Sequence, residues 1–481
     1  MRGEEARQRR KEGQLGSEEQ PLLREESPRQ PAAGAVPWTS RERHPLDTAK
    51  PQEETALIIG LQVVIPFMLA GMGMTMAGMC LNYIQHWNVF VDIRELLTLV
   101  PSLVGLKGNL EMTLACRLST AANTGIIDDP KQKQKMISSN LALIQVQATV
   151  VGLLAAVVAI LLEIISGQKV ELSHIGLLCA SSVLTAFMAA LFLGIVMICV
   201  VLGARKIRIN PDNIATPIAA MLGDVVSLCI LAGTSTVLYR YIDNYYLFLG
   251  ICFFFFSLIP LWISIAKQSP SIIEILKTGW FPIIIAMLIS SLGGLIFNKT
   301  ITQKKMIGMA VFTPLMNGVG GNLVSIQASR ISTYLHFWSS PGVLPHNMRS
   351  FFPNPCHIFC SSDINSVSSR VLLFLVIPGH LTFLYIIYLI EGENIKMHSL
   401  FVVFYLVAAL SQVLILLYLA EMLVRVVWRQ SQDPDSYSIP YLTGMGDLLG
   451  TSFLSLCFLS DSFFSDKMPL KNLNMVKPGL P

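Results

Sequence analysis

Charged side chains are scarce in this sequence, and their scarcity excludes an ordinary soluble protein. Asp, Glu, Lys and Arg make up 14% of the 481 residues, whereas 53% of the residues are hydrophobic. Soluble domains carry about 25% charged residues. Apolar runs of about 20 residues recur along the chain, and a helix of that length crosses a hydrocarbon core about 30 Å thick. The composition therefore predicts an integral, multi-pass membrane protein surrounded by a lipid bilayer.

The first 55 residues lack an apolar stretch, so we predict no secretory signal there. This segment is polar and rich in Glu, Arg, Gln and Pro, a composition typical of a disordered tail. Its acidic residues also disfavour a mitochondrial presequence. Residues Glu18–Leu23 have the form of an acidic dileucine sorting signal. We expect the plasma membrane as the location, with the mitochondrial inner membrane and the endolysosomal membrane as alternatives.

Features of nucleic-acid-binding proteins and of enzymes are also lacking. The net charge is only +4, and no basic stripe is interleaved with aromatic residues, so we predict no nucleic acid partner. The nine cysteines form no disulfide framework, and the His and Cys residues between positions 332 and 369 match no standard zinc spacing. His380 is an isolated histidine in a membrane segment. We predict no enzymatic activity and no cofactor; a membrane-embedded enzyme or a receptor is the less favoured alternative.

Eleven segments are predicted to cross the membrane. Lys and Arg are more frequent in the connections that a cytosolic N-terminus would place inside the cell than in the other connections. Because basic residues favour the cytosolic side, we expect a cytosolic N-terminus and an external C-terminus. The predicted spans lie near residues 56–81, 96–118, 139–165, 175–203, 215–239, 246–266, 279–298, 307–331, 370–390, 399–428 and 439–463.

An internal repeat is the most informative feature of the sequence. Residues 101–120 and 314–333 read PSLVGLKGNLEMTLACRLST and PLMNGVGGNLVSIQASRIST, with nine identities at a shift of 213 positions. Residues 210–224 and 433–447 read NPDNIATPIAAMLGD and DPDSYSIPYLTGMGD, with five identities at a shift of 223 positions. The two motifs keep their order and nearly their separation, which predicts a duplicated unit of five helices.

The predicted span near residues 246–266 resembles neither copy of this unit. A unit with an odd number of spans, repeated directly, would arrive inverted, and one additional crossing restores its orientation. We therefore expect two parallel repeats about an axis along the membrane normal, with a shared path between them. The predicted organisation is a cytosolic tail (1–55), a first repeat (56–240), a linker helix (241–278), a second repeat (279–465) and a C-terminal tail (466–481).

Asp224 and Asp447 occupy matched positions in the two repeats, and each follows a glycine in an otherwise apolar helix. An ionised side chain inside a membrane is costly unless water, a cation or a partner stabilises it, so a place on an ion path is the first hypothesis. Pseudo-symmetry would bring the two carboxylates towards one axis, and a divalent cation would offset their repulsion. The alternative is that the two acids lie apart and bind neighbouring backbone groups.

The residues around the two aspartates favour a hard cation. No Cys or His accompanies either acid, whereas zinc, iron and copper sites usually recruit sulfur or imidazole. Asn213, Thr216 and Thr443 offer oxygen ligands nearby. Mg²⁺ keeps several of its waters and is commonly held by one or two carboxylates. Mg²⁺ is therefore the expected substrate, although ligand type alone leaves Ca²⁺ open.

Other polar residues are secondary candidates. Asn109 and Asn322 end matched Gly-x-x-Gly-Asn segments, which are equally compatible with close helix packing and with a direct place on the ion path. Glu111 follows Lys107 by four residues, a spacing typical of a local ion pair. Two further acids in membrane segments, without a counterpart in the other repeat, are Glu163 and Glu421.

At these motifs the chain resembles the solute carrier family 41 magnesium transporters, eukaryotic relatives of the bacterial MgtE magnesium channels. The resemblance covers nearly everything after residue 55, and GVGGNLVSIQASRISTYLH is among its most specific parts. It implies that one chain supplies both halves of a pore that bacterial relatives build as a dimer. It also implies that the pore aspartates correspond to Asp224 and Asp447, with the backbone carbonyls of Ala220 and Thr443 contacting the hydrated ion.

The resemblance further implies Mg²⁺ transport, with Na⁺-coupled efflux as one mode and a magnesium-permeable channel without Na⁺ coupling as the alternative. The large cytosolic sensor domains of bacterial relatives have no counterpart in the 55 residues before the first span. The two repeats have also diverged: Lys107 corresponds to Gly320, and Leu114 to Gln327. We therefore expect the two halves to be inequivalent.

Overall fold

The structure is a computed structural model that describes residues 56–123, 129–167, 171–207, 212–303, 306, 308–345, 348, 350, 352–392, 398–432 and 434–467. Regular structure in these ranges is helical, without a strand, which confirms the prediction of an all-α membrane protein. The helices are α1 Ala56–Ile84, α2 Asn88–Asp92, α3 Glu95–Asn123, α4 Pro130–Ile165, α5 Leu172–Ile207, α6 Asp212–Tyr239, α7 Tyr245–Ser257, α8 Ile259–Ala266, α9 Pro270–Thr278, α10 Trp280–Ile301, α11 Met309–Trp338, α12 Pro355–Cys360, α13 Ile364–Glu391, α14 Ser399–Arg429 and α15 Pro434–Lys467. The predicted tail 1–55 lies outside the described residues.

Helices occupy all eleven predicted spans. Ten segments of the described chain are long and apolar enough to cross a membrane. The eleventh predicted span lies in α3, which is 29 residues long; its apolar segment Glu95–Gly105 is followed by residues 106–109, whose side chains are outside the described residues. The predicted span near 246–266 is divided into α7 and α8, since Pro260 supplies no backbone N–H at the start of α8.

Each predicted repeat places its first helix against the other repeat. The first repeat comprises α1, α3, α4, α5 and α6, and the second comprises α10, α11, α13, α14 and α15. Helix α1 packs on α6 of its own repeat and on α11 and α13 of the other. Helix α10 packs on α15 of its own repeat and, in the same manner, on α3 and α4 of the other. The repeats therefore share one interface and do not form separate bundles.

Two glycine contacts show that α1 and α10 pack on the opposite repeats in a pseudo-symmetric way. A Cβ built on Gly78 of α1 would lie 1.9 Å from the carbonyl oxygen of Val311 on α11. A Cβ built on Gly294 of α10 would lie 2.1 Å from the carbonyl oxygen of Thr98 on α3. Thr98 and Val311 are 213 positions apart, the shift of the first repeated motif. The two helix crossings are therefore equivalent, and glycine permits the backbones to approach so closely.

The same contacts give the relative direction of the repeats. Along α1 and α11, Gly78 lies at Val311 and Met74 lies at Gly318, so these two helices are antiparallel. Along α3 and α10, Gly294 lies at Thr98 and Gly105 lies near Ser290, so this pair is antiparallel too.

Helix α10 runs parallel to α15, since Gly444 lies at Ala286 and Gly293 at Asp447. Helix α15 in turn runs antiparallel to α11, since Gly321 lies near Thr443 and Gly450 at Asn317. Because α3 and α11 both run opposite to α10, they run in the same direction, and the two repeats are parallel.

Large apolar side chains cover the outside of the linker helix. In α7, Tyr246 is 83% exposed and Phe253 is 75% exposed, whereas Phe248 is buried. Helices α7 and α8 pack on α4 and α5 of the first repeat. An apolar surface of this kind suits contact with lipid tails. The linker helix therefore lies at the edge of the bundle, away from the shared interface.

Candidate functional site

A cavity of about 100 Å³ lies between the two repeats. Helices α1, α3 and α6 of the first repeat and α11 and α15 of the second line it. A single water needs about 10–15 Å³ of such space, so the cavity has room for several waters. The described residues that line it are Met74, Leu81, Val100, Pro101, Val104, Gly105, Asp224, Leu228, Thr313, Pro314, Asn317, Gly318, Gly321, Asn322, Thr443 and Asp447.

The structure brings Asp224 and Asp447 to this one cavity. Asp224 lies in α6 and Asp447 at the matched position of α15. A Cβ on Gly223 would lie 2.6 Å from Oε2 of Glu111, and one on Gly446 would lie 3.3 Å from a backbone nitrogen of α11. Glycine before each aspartate therefore lets α6 and α15 pack closely on α3 and α11, which sets both carboxylates at the shared interface.

The carboxylate of Asp447 is held by residues of two other helices. The Ser290 hydroxyl of α10 donates a hydrogen bond to Oδ2 of Asp447 over 2.7 Å. A Cβ built on Gly105 of α3 would lie 2.3 Å from the same oxygen. A hydrogen bond to an ionised acceptor is stronger than one between neutral groups, so Ser290 fixes the orientation of this acid. The position of α1 that corresponds to Ser290 is Met74, whose thioether has no hydrogen to donate.

A buried polar network supports the second-repeat side of the cavity. The Asn317 amide donates to the Thr451 hydroxyl over 3.0 Å, and the Gln412 amide donates to the carbonyl oxygen of Gly446 over 3.0 Å. A Cβ on Gly450 would lie 2.4 Å from Oδ1 of Asn317, so this glycine makes room for the amide. The network joins α11, α14 and α15 behind the cavity and holds Asn317 in one orientation.

Some of the remaining candidate residues line the cavity, and the side chains of others are outside the described residues. Asn322 and Thr443 line the cavity. Ala220 lies within α6 and Asn109 within α3, but the side chains of both are outside the described residues. The side chain of Lys107, the expected partner of Glu111, is also outside the described residues.

Sequence reasoning missed Thr313, Asn317 and Ser290. Thr313, Asn317 and Gly321 recur every four residues and therefore share one face of α11, a signal that could have placed them together. Ser290 offered no comparable signal, because its helix lies outside the repeated motifs. Its role depends on a contact with an aspartate 157 residues further along the chain.

The two acids without repeat counterparts form structural bonds. Oε1 of Glu163 accepts hydrogen bonds from the Thr98 hydroxyl over 2.5 Å and from the Asn298 amide over 2.8 Å. Glu163 therefore ties α4 and α3 of the first repeat to α10 of the second. Oε2 of Glu421 accepts from the Arg425 guanidinium over 2.8 Å, one turn along α14. This buried ion pair is local to the second repeat.

The predicted connection between positions 332 and 369 does not show a metal site. No group of three or more His, Cys, Asp or Glu side chains in the described ranges is placed to hold a metal ion. Nε2 of His357 lies 3.4 Å from Oδ2 of Asp363, and both residues line a second cavity of about 60 Å³ beside Glu421 and Arg425. The side chains of the other two histidines in this connection are outside the described residues.

Comparison with known protein families defines the class of this protein. The MgtE family model, described as a divalent cation transporter, matches residues 100–234 and 313–457. These matches run from α3 to α6 and from α11 to α15, so the family unit occurs twice. The duplicated helical unit, with a cavity and an acid from each copy at its centre, is that of a divalent cation transporter.

Proteins of solute carrier family 41 are similar to almost the whole chain. Member 3 from Mus musculus is 59% identical over 483 residues, which cover 98% of this chain and 98% of the relative. Member 3 from Rattus norvegicus is 60% identical over 87% of this chain and 91% of its own length. Member 2 from Xenopus laevis is 52% identical over 85% of this chain and 73% of its own length. No solved structure matches. The chain belongs to solute carrier family 41.

Proposed function

We propose that this divalent cation transporter carries Mg²⁺ and that the cation binds in the cavity between the repeats. The observation that carries this proposal is that Asp224 and Asp447, one from each repeat, both line that cavity. Two carboxylates balance the charge of one divalent cation. The described lining contains no Cys or His, and its one sulfur is the thioether of Met74; carboxylate, hydroxyl and amide oxygens dominate its polar groups, which favours a hard cation over zinc, iron or copper.

Electrostatic attraction between the cation and each acid is large enough to bind the cation. At an effective dielectric of about 20, a divalent cation and a carboxylate about 5 Å apart attract by about 7 kcal/mol before desolvation is subtracted. Mg²⁺ retains several waters in most protein sites, and the cavity has room for them. In this proposal, the backbone carbonyls of Ala220 and Thr443, one turn before the aspartates, and the amides of Asn109 and Asn322 accept hydrogen bonds from these waters.

The proposed mode of transport is Na⁺-coupled Mg²⁺ efflux across the plasma membrane. The chemical difference between the two repeats at the cavity favours a transporter with distinct states over a symmetric open pore. A magnesium channel without Na⁺ coupling is the alternative. The mitochondrial inner membrane and the endolysosomal membrane are the alternative locations.

Purified protein in sealed liposomes with an internal Mg²⁺ indicator tests both parts of the proposal. We expect Mg²⁺ flux that an opposing Na⁺ gradient accelerates, with protein-free liposomes as the control. Flux of equal rate with and without Na⁺ would identify the channel alternative. If another divalent cation crosses while Mg²⁺ does not, the assignment of Mg²⁺ as the substrate is wrong.

A further inference from the structure

The two sides of the central cavity differ in chemistry. Within the described part of the chain, the second repeat contributes a polar wall, which consists of Thr313, Asn317, Asn322, Thr443 and Asp447. The first repeat contributes an apolar wall, which consists of Met74, Leu81, Val100, Val104 and Leu228. Asp224 is the single polar side chain that the described first repeat adds to the lining.

This difference follows the duplication position by position. In the repeated motifs, matched positions lie 213 residues apart in α3 and α11 and 223 residues apart in α6 and α15. For α1 and α10, the equivalent contacts of Gly78 and Gly294 give a shift of 216 residues. The positions that matter are those whose described side chain lines the cavity in at least one repeat. Wherever one member of such a pair is polar and the other apolar, the polar member belongs to the second repeat. These pairs are Met74/Ser290, Val100/Thr313, Val104/Asn317, Ala220/Thr443 and Leu228/Thr451. The walls have therefore diverged in one direction.

We propose that the hydrated cation binds off the pseudo-twofold axis, against the polar wall, with Asp447 as its main acid and Ser290 as the residue that positions Asp447. This inference rests on the proposed Mg²⁺ path. A hydrated Mg²⁺ presents water hydrogens to its surroundings and needs oxygen acceptors around it. Among the described side chains of the first repeat, Asp224 is the one acceptor that lines the cavity, whereas the second repeat adds Thr313 and Asn317 at positions where the first repeat has valine. The polar wall therefore determines where the cation lies.

Two groups of the polar wall, Thr313 and Asn317, already donate hydrogen bonds within the protein. The Thr313 hydroxyl donates to the carbonyl oxygen of Met309 over 2.9 Å. Since a hydroxyl has one hydrogen and two acceptor lone pairs, this bond leaves Thr313 as an acceptor. The Asn317 amide donates one of its two hydrogens to the Thr451 hydroxyl over 3.0 Å. Waters of the cation therefore meet Thr313 as an acceptor, and one donor of Asn317 is already used within the protein.

Ser290 gives Asp447 a property that Asp224 lacks. Its hydroxyl holds Oδ2 at 2.7 Å and so limits the carboxylate to one orientation. The matched Met74 supplies a flexible thioether and cannot donate to a carboxylate. A preorganised acid binds a cation more tightly than a mobile one, because less conformational entropy is lost on binding. In this proposal, Asp447 therefore binds the cation more tightly than Asp224 does.

Paired variants at matched positions test this inference through the apparent KM for Mg²⁺ in liposomes. Asn317→Leu and Val104→Leu introduce the same side chain on opposite walls, and Ser290→Ala is paired with Met74→Leu. We expect Asn317→Leu and Ser290→Ala to raise the apparent KM about tenfold, the factor that corresponds to about 1.4 kcal/mol. Val104→Leu and Met74→Leu alter the same cavity but replace one apolar side chain by another, so we expect each to raise the apparent KM clearly less than its partner variant does.

Conservative rescue separates a positioning role from a structural one. Ser290→Thr retains the hydroxyl and should keep the wild-type apparent KM, whereas Ser290→Ala should not. Amount and folding of each variant are checked by size exclusion in detergent. Equal effects on the two walls, or equal effects of Ser290→Thr and Ser290→Ala, would overturn the inference. Lack of Mg²⁺ flux in the wild type would instead refute the proposed function.

Discussion

Gly105 and Asp447 belong to different repeats and lie in direct contact. A Cβ built on Gly105 would lie only 2.3 Å from Oδ2 of Asp447. Gly318, the repeat counterpart of Gly105, faces Met74 instead, whose Sδ would lie 2.5 Å from an added Cβ. The same glycine in the two repeats therefore has a charged neighbour on one side and a flexible apolar neighbour on the other.

This contact predicts unequal effects of two alanine substitutions. Gly105→Ala should lower Mg²⁺ transport at least tenfold, because the added methyl group displaces the Asp447 carboxylate from its bond with Ser290. Gly318→Ala should have a smaller effect, because the Met74 side chain can change rotamer. Initial rates of Mg²⁺ flux per folded molecule in liposomes provide the measurement. Similar losses in both variants would show that the contact with Asp447 is not what matters.

Replacement of either cavity aspartate by Asn should abolish most transport without unfolding the protein. Asp224→Asn and Asp447→Asn retain the shape of the side chain but remove one of the two negative charges. We expect flux to fall by more than about tenfold, since the lost attraction amounts to several kcal/mol. Asp243→Asn, in the exposed turn between α6 and α7, is the matched control and should transport at the wild-type rate. Normal rates in both cavity variants would refute the ion-path assignment.

Glu163 should contribute to stability through its bonds across the repeat boundary. Glu163→Gln weakens the two hydrogen bonds that this buried side chain accepts from Thr98 and Asn298. We expect the free energy of unfolding to fall by about 1–3 kcal/mol. Thermal unfolding of the protein in detergent measures the change, with exposed Glu171→Gln as the control. An unchanged unfolding temperature would mean that these bonds do not hold the repeats together.

The sequon Asn298-Lys299-Thr300 should carry no glycan. Asn298 is 6% exposed and its amide donates to Glu163, and Thr300 is 8% exposed. A glycan on this asparagine therefore has no room in the folded protein and would break its bond with Glu163. Glycosidase treatment of the protein from mammalian cells should leave its electrophoretic mobility unchanged. A shift in the wild type that Asn298→Gln removes would contradict this packing.

The two ends of the chain should lie on opposite sides of the membrane. The distribution of Lys and Arg among the connections predicts a cytosolic N-terminus and, with eleven crossings, an external C-terminus. Epitope tags at both ends, labelled in intact cells, should reveal only the C-terminal tag, and detergent should expose both. Tags on the same side would mean that one of the eleven predicted spans does not complete a crossing.

The sequence by itself determined the class of protein, most of the spans and the pair of acids. An apolar run predicts a membrane helix from that stretch of sequence alone, because each helix satisfies its backbone hydrogen bonds within its own segment. Duplication supplied a second, independent signal, which matched Asp224 with Asp447 before any contact was known. It also indicated that the additional span would keep the repeats parallel.

Only the tertiary structure decided which helices meet. Helices such as α1 and α10 are apolar on every side, so no amphipathic pattern shows which face contacts protein and which contacts lipid. The packing of α1 and α10 on the opposite repeats depends on close backbone approach at Gly78 and Gly294. It also depends on the shapes of the helices they contact, which lie far along the chain. The bond from Ser290 to Asp447 joins two helices of the second repeat whose bonded residues lie 157 positions apart in the chain. Membrane helix packing relies on such close fits more than on hydrophobic patterning, which is why sequence reasoning found the acids but not their surroundings.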